Sequence, residues 1–416
     1  MGKTNLGDYL NKKKLRTILY LSLFIKIILI FYIGDENFVE EWKILLSNLK
    51  NFQSLSFHTI DGYRIIPSVY MPPLYTFFLY FFYFLANFND FLAVKIILIF
   101  QCVLSIITAQ FFYHVNRIYF SEKLSVFLTL IFFFYPLHFY ASTQISSITL
   151  QVFLFTMFVY FFLQIKHNKS YIYFGIISSC LVLIRGEFLI LFIICLIAWY
   201  FEVRKLNKIL ISILITFLLI TPYIIRNYNN FGQFVITKSL GFNLWRGNNV
   251  IADLNGTIHP DWTYPNLIKE KNEILNYLKK DNKIYLYEIY IDDNFKKRAI
   301  NNIKNDPIYY FNLYLKKLFS FVLYNYNSNY PNYYNPLVVA PEIIYSFLGL
   351  IGFIINFINK KKLYKVTILY VFYIFLIPTF FILPRYKLFI LPLIIIFIGI
   401  FIKYILSNKN SFKKTI

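Results

Sequence analysis

Acids and cysteines are scarce in this chain, with 20 Asp and Glu against 42 Lys and Arg, and three cysteines, in 416 residues. Cys102, Cys180 and Cys195 all lie in apolar runs, which suits packing and gives no disulfide framework. The five histidines (His58, His114, His138, His167, His259) are scattered without ligand spacing. A zinc site is therefore not expected. Charged residues make up only 15% of the chain, too few for a soluble domain of this length. Glycine-rich phosphate loops, nucleophile elbows and redox motifs are missing. So are a long linker, a separate soluble domain and any internal repeat.

What is present is apolar. Hydrophobic residues form 58% of the chain and aromatic ones 22%. Runs of about 20 apolar residues, enough to cross a hydrocarbon core, recur from end to end. The expected class is an all-α polytopic membrane protein. The net charge of +22 does not imply nucleic acid, because the lysines flank the apolar runs in short loops and tails. That is the pattern of positive residues held on the cytoplasmic side. The first run lacks a small-residue cleavage site and is expected to stay as a helix.

Lys3, Lys12, Lys13, Lys14 and Arg16 precede the run 15–33, which puts the N-terminus inside. Loops near Arg117 and Lys123, Lys166 and Lys169, Arg204 to Lys208, Lys360 to Lys365, and Lys403 onward share that side. Crossings near 15–33, 91–115, 124–140, 146–165, 170–184, 187–203, 209–225, 337–358, 366–383 and 386–403 satisfy every such loop. The short stretch 73–86, opening at Pro72-Pro73, is then interfacial or re-entrant. Two large external loops result, 34–72 and 226–336, and helices 337–416 close the chain.

Loop 34–72 opens with Asp35 and Glu36, and Glu40 and Glu41 lie one turn on if a helix begins there. Such acids can complement a helix N-terminus or serve as a general base. Arg64, Arg185, Arg226, Arg246, Arg298 and Arg385 all fall on the external side, where basic residues are normally depleted. Arginines at a membrane edge snorkel or pair with an acid, as Arg185 could with Glu187. Several on one leaflet fit the phosphate of an anionic lipid, which guanidinium binds bidentately. After Arg226 the chain turns polar, and Gly241, Gly247 and Asn248-Asn249 form a turn-rich strip. The strip YNYNSNYPNYYN within 308–334 reads as an interfacial aromatic belt, or as a sugar-stacking surface.

The stretch PYIIRNYNNFGQFVITKSLGFNLWRGNN resembles one found in bacterial family-39-like glycosyltransferases. These are membrane enzymes of GT-C architecture, related to protein O-mannosyltransferases and lipid A aminoarabinose transferases. Asp35-Glu36, Pro72-Pro73-Leu74-Tyr75, Leu183-Ile184-Arg185, Asp306-Pro307 with Lys316 or Lys317, and Pro384-Arg385-Tyr386-Lys387 with Pro392 follow in the family's order. Tyr223, Met71 and Val39 depart from it, and Met71 stands where aminoarabinose transferases carry lysine. The resemblance implies about 10–12 transmembrane helices and an active site on the periplasmic side of a bacterial inner membrane. It implies transfer of a sugar from a polyprenyl-phosphate donor, with inversion, to an envelope glycan, lipid or protein.

On that reading Asp35 is the base and Glu36 orients it or the acceptor. Arg226, Arg385, Arg185, Arg246, Arg64 and Asn227 surround the donor phosphate. Tyr75, Asn248, Trp245 and Tyr386 line the sugar or acceptor pocket. No cofactor is required, and a divalent cation stays open. Two other readings use the same residues: a transporter or flippase for a lipid-linked anion, and an inactive partner subunit.

Overall fold

Inside a bilayer the backbone can satisfy its polar groups only within a helix or a closed barrel. The apolar runs accordingly fold as helices. The computed structural model describes residues 6–60, 64–164, 169–256, 265–330, 332–358 and 363–412. Lys3, Lys166, His167, His259 and Lys360 to Lys362 lie outside the described residues. The helices are α1 Leu6–Ile33, α2 Glu40–Phe52, α3 Pro73–Leu85, α4 Asp90–Arg117, α5 Glu122–Phe133, α6 Pro136–Ala141 and α7 Ile148–Leu163. There follow α8 Ser170–Ile184, α9 Phe188–Val203, α10 Leu206–Phe231, α11 Leu240–Gly247, α12 Pro265–Lys280 and α13 Tyr287–Asn305. The chain closes with α14 Pro307–Val322, α15 Pro336–Ile358, α16 Tyr364–Leu376 and α17 Pro384–Phe412.

Among the described residues, five helices are long and apolar enough to cross a membrane: Lys12–Ile33, α4, α10, α15 and Pro384–Ser407. The other expected crossings are shorter. The run 124–140 is broken because Pro136 forces Tyr135 into an extended conformation, separating α5 from α6. The run 366–383 ends as a helix at Leu376, with one turn of 3-10 helix after it. At 13 residues α3 is about two thirds of a span, and it packs against α2, α4 and α8. An all-helical chain was expected, yet loop 34–72 also holds an antiparallel ribbon, His58–Ile60 with Arg64–Ile66.

One further expectation needs correcting. The crossing is expected to end near 225, but α10 continues to Phe231 and ends at Gly232 in the left-handed region. Its buried residues Ile209, Ser212, Thr216, Ile220, Tyr223, Asn227 and Phe231 keep three-or-four spacing straight through the proline. Tertiary hydrogen bonds from Arg226 and Asn227 support these last turns.

Small and hydroxylated residues let helices approach where lipid offers no hydrophobic drive. Thr216 Oγ1 donates to the Gly175 carbonyl at 3.0 Å, joining α10 to α8. A Cβ on Gly352 would lie 1.9 Å from the Phe397 carbonyl oxygen, so only glycine permits the α15–α17 crossing. Lys365 pairs with Glu202 and donates to the Phe162 carbonyl, while Lys403 donates to that of Tyr119. Those contacts gather the ends of α4, α7 and α9 with the start of α16 and the end of α17. Asp35, Ile145, Arg185 and Arg385 lie at the opposite helix ends.

Candidate functional site at the acid- and arginine-bearing helix ends

Asp35 is held from three directions. Lys95, buried on α4, donates to the carbonyls of Ile30 (3.1 Å), Gly34 (3.4 Å) and Asp35 itself (3.1 Å), closing the end of α1. A cation there also complements the helix dipole. Gln144 donates to the Ile33 carbonyl at 2.8 Å, and the Ile145 amide donates to Asp35 Oδ2 at 2.6 Å. Gln101 connects this turn to the opening of α3, donating to the Gln144 carbonyl and accepting from the Tyr75 hydroxyl. Tyr75 is buried, packs edge-on against Trp42 at 4.9 Å, and lies within electrostatic reach of Asp35. Glu36 is exposed beside them, and α2 does begin at Glu40.

Three arginines meet at Tyr386. The Arg185 guanidinium lies 5.1 Å from the Tyr386 ring and 4.7 Å from that of Phe389, and it pairs with Glu187. Arg385 lies 5.7 Å from the same Tyr386 ring. Arg246 lies over Phe381, 4.5 Å from the ring centre, and Phe381 packs against Tyr386. Burial lowers the pKa of Arg246, Tyr386 and Tyr70 oppose that shift, and the nearby Arg385 adds to it. The two guanidiniums are thus close enough to repel. A shared anion would relieve that repulsion, and guanidinium is well shaped to bind phosphate.

Tyr70, packed on Phe57 and Phe242, lies near Arg246. Burial raises its pKa, Arg246 opposes the shift, and Glu41, Asp292 and Glu288 reinforce it. Glu41, Asp292 and Glu288 thus share Tyr70 as a neighbour with Arg246. The Asp35 carboxylate accepts from the Ile145 amide, while Arg185 pairs with Glu187.

Other residues singled out from sequence hold the scaffold. Arg226 donates to the carbonyls of Ser68 (2.7 Å) and Leu55 (3.3 Å) and to Asn227 Oδ1 (2.8 Å). Glu288 faces the same strip, accepting from Ser68 Oγ and from the Val69 and Tyr70 amides. Asn227 is fully buried and donates to the Val235 carbonyl. Trp245 is 2% exposed and packs on Phe295 at 4.7 Å. Asn248 donates to the carbonyls of Leu244 and Thr379. Arg298 pairs with Glu270, and the side chain of Arg64 lies outside the described residues.

Lys317, fully buried, bridges the carbonyls of Gly247 (2.5 Å) and Phe380 (2.6 Å). A Cβ on Gly247 would lie 1.9 Å from the Phe380 oxygen, so glycine is required for this contact. Sequence reasoning missed Lys26, Lys95, Gln101, Tyr70 and Glu288. Lys26 and Lys95 did carry a signal, as lone lysines inside apolar runs. Gln101, Tyr70 and Glu288 matter through partners far away in the chain. Among the described residues no three His, Cys, Asp or Glu side chains gather as metal ligands would. Set against family models, curated proteins and solved structures, the chain matches none.

Proposed function

We propose that this protein is a membrane glycosyltransferase of GT-C type, using a polyprenyl-phosphate sugar on the periplasmic side of a bacterial inner membrane. One observation carries this reading: Arg185, Arg246 and Arg385 converge at Tyr386 on the end of the bundle where loop 34–72 presents its acids. The donor phosphate binds among those arginines, and Arg226 supports the loop beside them. Asp35 takes the proton of an acceptor hydroxyl or amine as its oxygen or nitrogen attacks the anomeric carbon. The bond from that carbon to the phosphate oxygen breaks, and its electron pair leaves with the polyprenyl phosphate. The arginines stabilise the released charge by preorganised electrostatics. Attack opposite the leaving group inverts the anomeric centre.

Purified protein in nanodiscs, given a labelled polyprenyl-phosphate sugar and an envelope extract, tests this directly. Transfer by wild type that disappears in Asp35→Asn supports the enzyme. A carrier for a lipid-linked anion is the second reading, since buried arginines beside an anion site serve binding without chemistry as well. Binding without turnover, untouched by Asp35→Asn and abolished by Arg385→Ala, would establish the carrier instead.

A further inference from the structure

Lys26 sits two turns before the end of α1, inside its apolar run, where an ammonium is expensive and an apolar residue would be expected. It is fully buried. Its Nζ donates to Ser105 Oγ and Ser142 Oγ, each at 2.9 Å, and lies between the rings of Phe133 (4.5 Å) and Phe139 (4.4 Å). Among the described residues no carboxylate pairs with it. Charge neutralisation is therefore not its role, and a hydrophobic side chain of equal volume would serve stability as well or better.

Its partner Ser142 opens the turn that ends on Asp35. The Ser142 hydroxyl donates in turn to the Phe139 carbonyl at 2.7 Å, and Cys102 Sγ donates to the Ser142 carbonyl at 3.5 Å. Thr143 caps the Tyr140 carbonyl, and Gln101 holds the carbonyl of Gln144. Gln144 reaches the Ile33 carbonyl, and the Ile145 amide binds Asp35 Oδ2. Helix α1 and the residues just after it thus grip one short turn at Lys26, Ile33 and Asp35. Fixing both ends of the turn against one rigid helix fixes the aim of the carboxylate.

We infer that Lys26 is a positioning residue for the Asp35 carboxylate, acting through Ser142; this rests on the proposed role of Asp35 as base. The Ile145 amide occupies Oδ2, which leaves Oδ1 for the acceptor proton. Without Lys26, Ser142 loses its anchor and the turn carrying that amide loosens. A misplacement of about 1 Å in a catalytic group can cost about a hundredfold in rate.

The test compares Lys26→Met, which keeps the bulk and drops the charge, with Ser142→Ala and the double variant. Hydrogen exchange in nanodiscs is read across 141–146, alongside the thermal midpoint. The expected result is exchange at the Ile145 amide about tenfold faster in each single variant, with no further gain in the double. The thermal midpoint and exchange elsewhere in the bundle stay as in wild type. In the transfer assay kcat falls about tenfold with KM for the donor unchanged. Unchanged exchange at Ile145, or effects that add in the double variant, would overturn the inference. Faster exchange throughout the bundle would also overturn it, because Lys26 would then be holding the fold. If wild type transfers no sugar, the enzyme reading fails by itself, and the exchange data still decide whether Lys26 positions the turn.

Discussion

Arg226 and Arg385 invite the same reading from their surroundings, since each follows a proline beside an apolar run on the same face of the molecule. Their environments are opposite. Arg226 places its guanidinium on backbone carbonyls of loop 34–72, with Glu288 holding the same strip from the other side. Arg385 is exposed, its ring contact among the described residues is with the neighbouring Tyr386, and it repels Arg246. Backbone carbonyls can use up a guanidinium as fully as a phosphate can. Residue type and sidedness alone therefore cannot separate a latch from a binding group.

Substitutions can widen or collapse that contrast. The largest expected effect falls on the scaffold. Trp245→Ala empties a buried aromatic site against Phe295 and should destabilise by about 3–5 kcal/mol in chemical denaturation of the detergent-solubilised protein. A loss below about 1 kcal/mol would return Trp245 to the list of pocket residues.

Arg226→Ala comes next. It strips donors from two loop carbonyls and should cost about 1–3 kcal/mol, read as a lower thermal midpoint. An unmoved midpoint with weaker lipid binding would put Arg226 back among the phosphate ligands. For Arg385→Ala and Arg246→Ala the pattern reverses. Each should weaken polyprenyl-phosphate binding by about tenfold, roughly 1.4 kcal/mol, with the thermal midpoint of Arg385→Ala unchanged. High salt should weaken wild-type binding as well.

A separate contrast concerns pH. Burial lowers the pKa of Lys317 from 10.5 to about 7, with Asp253 opposing the shift. The folded state then holds fewer protons than the unfolded state between those values, so this group's contribution makes stability rise as pH rises from about 7 toward 10.5. Lys317→Met should flatten that part of the curve of thermal midpoint against pH. A slope identical in wild type and variant would show that Lys317 does not cause it.

Much of the frame was legible without coordinates. Hydropathy located α4, α8 and α15 to within a few residues, because lipid solvation imposes helix on any long apolar run. Proline at 136 and the continuation of α10 past Pro222 were harder. One proline breaks a run and opens a new helix, and the other is absorbed where Arg226 and Asn227 support the turns beyond it. Among site residues, Asp35 and Tyr75 come within electrostatic reach of each other, and Arg185, Arg246 and Arg385 gather. Arg226, Asn227, Trp245 and Asn248 do not join them, because their polar groups or ring faces meet buried scaffold partners.

Composition and hydropathy by themselves determined a mostly helical chain with several helices apolar enough for a membrane. Those properties follow from local transfer free energies, which each segment carries wherever it sits. Tertiary structure alone decided which arginine is a latch, which acids share a neighbour with Arg246, and why a lysine lies inside α1. Each of those depends on donors and acceptors brought together from distant parts of the chain, as Lys26 meets Ser105 and Ser142.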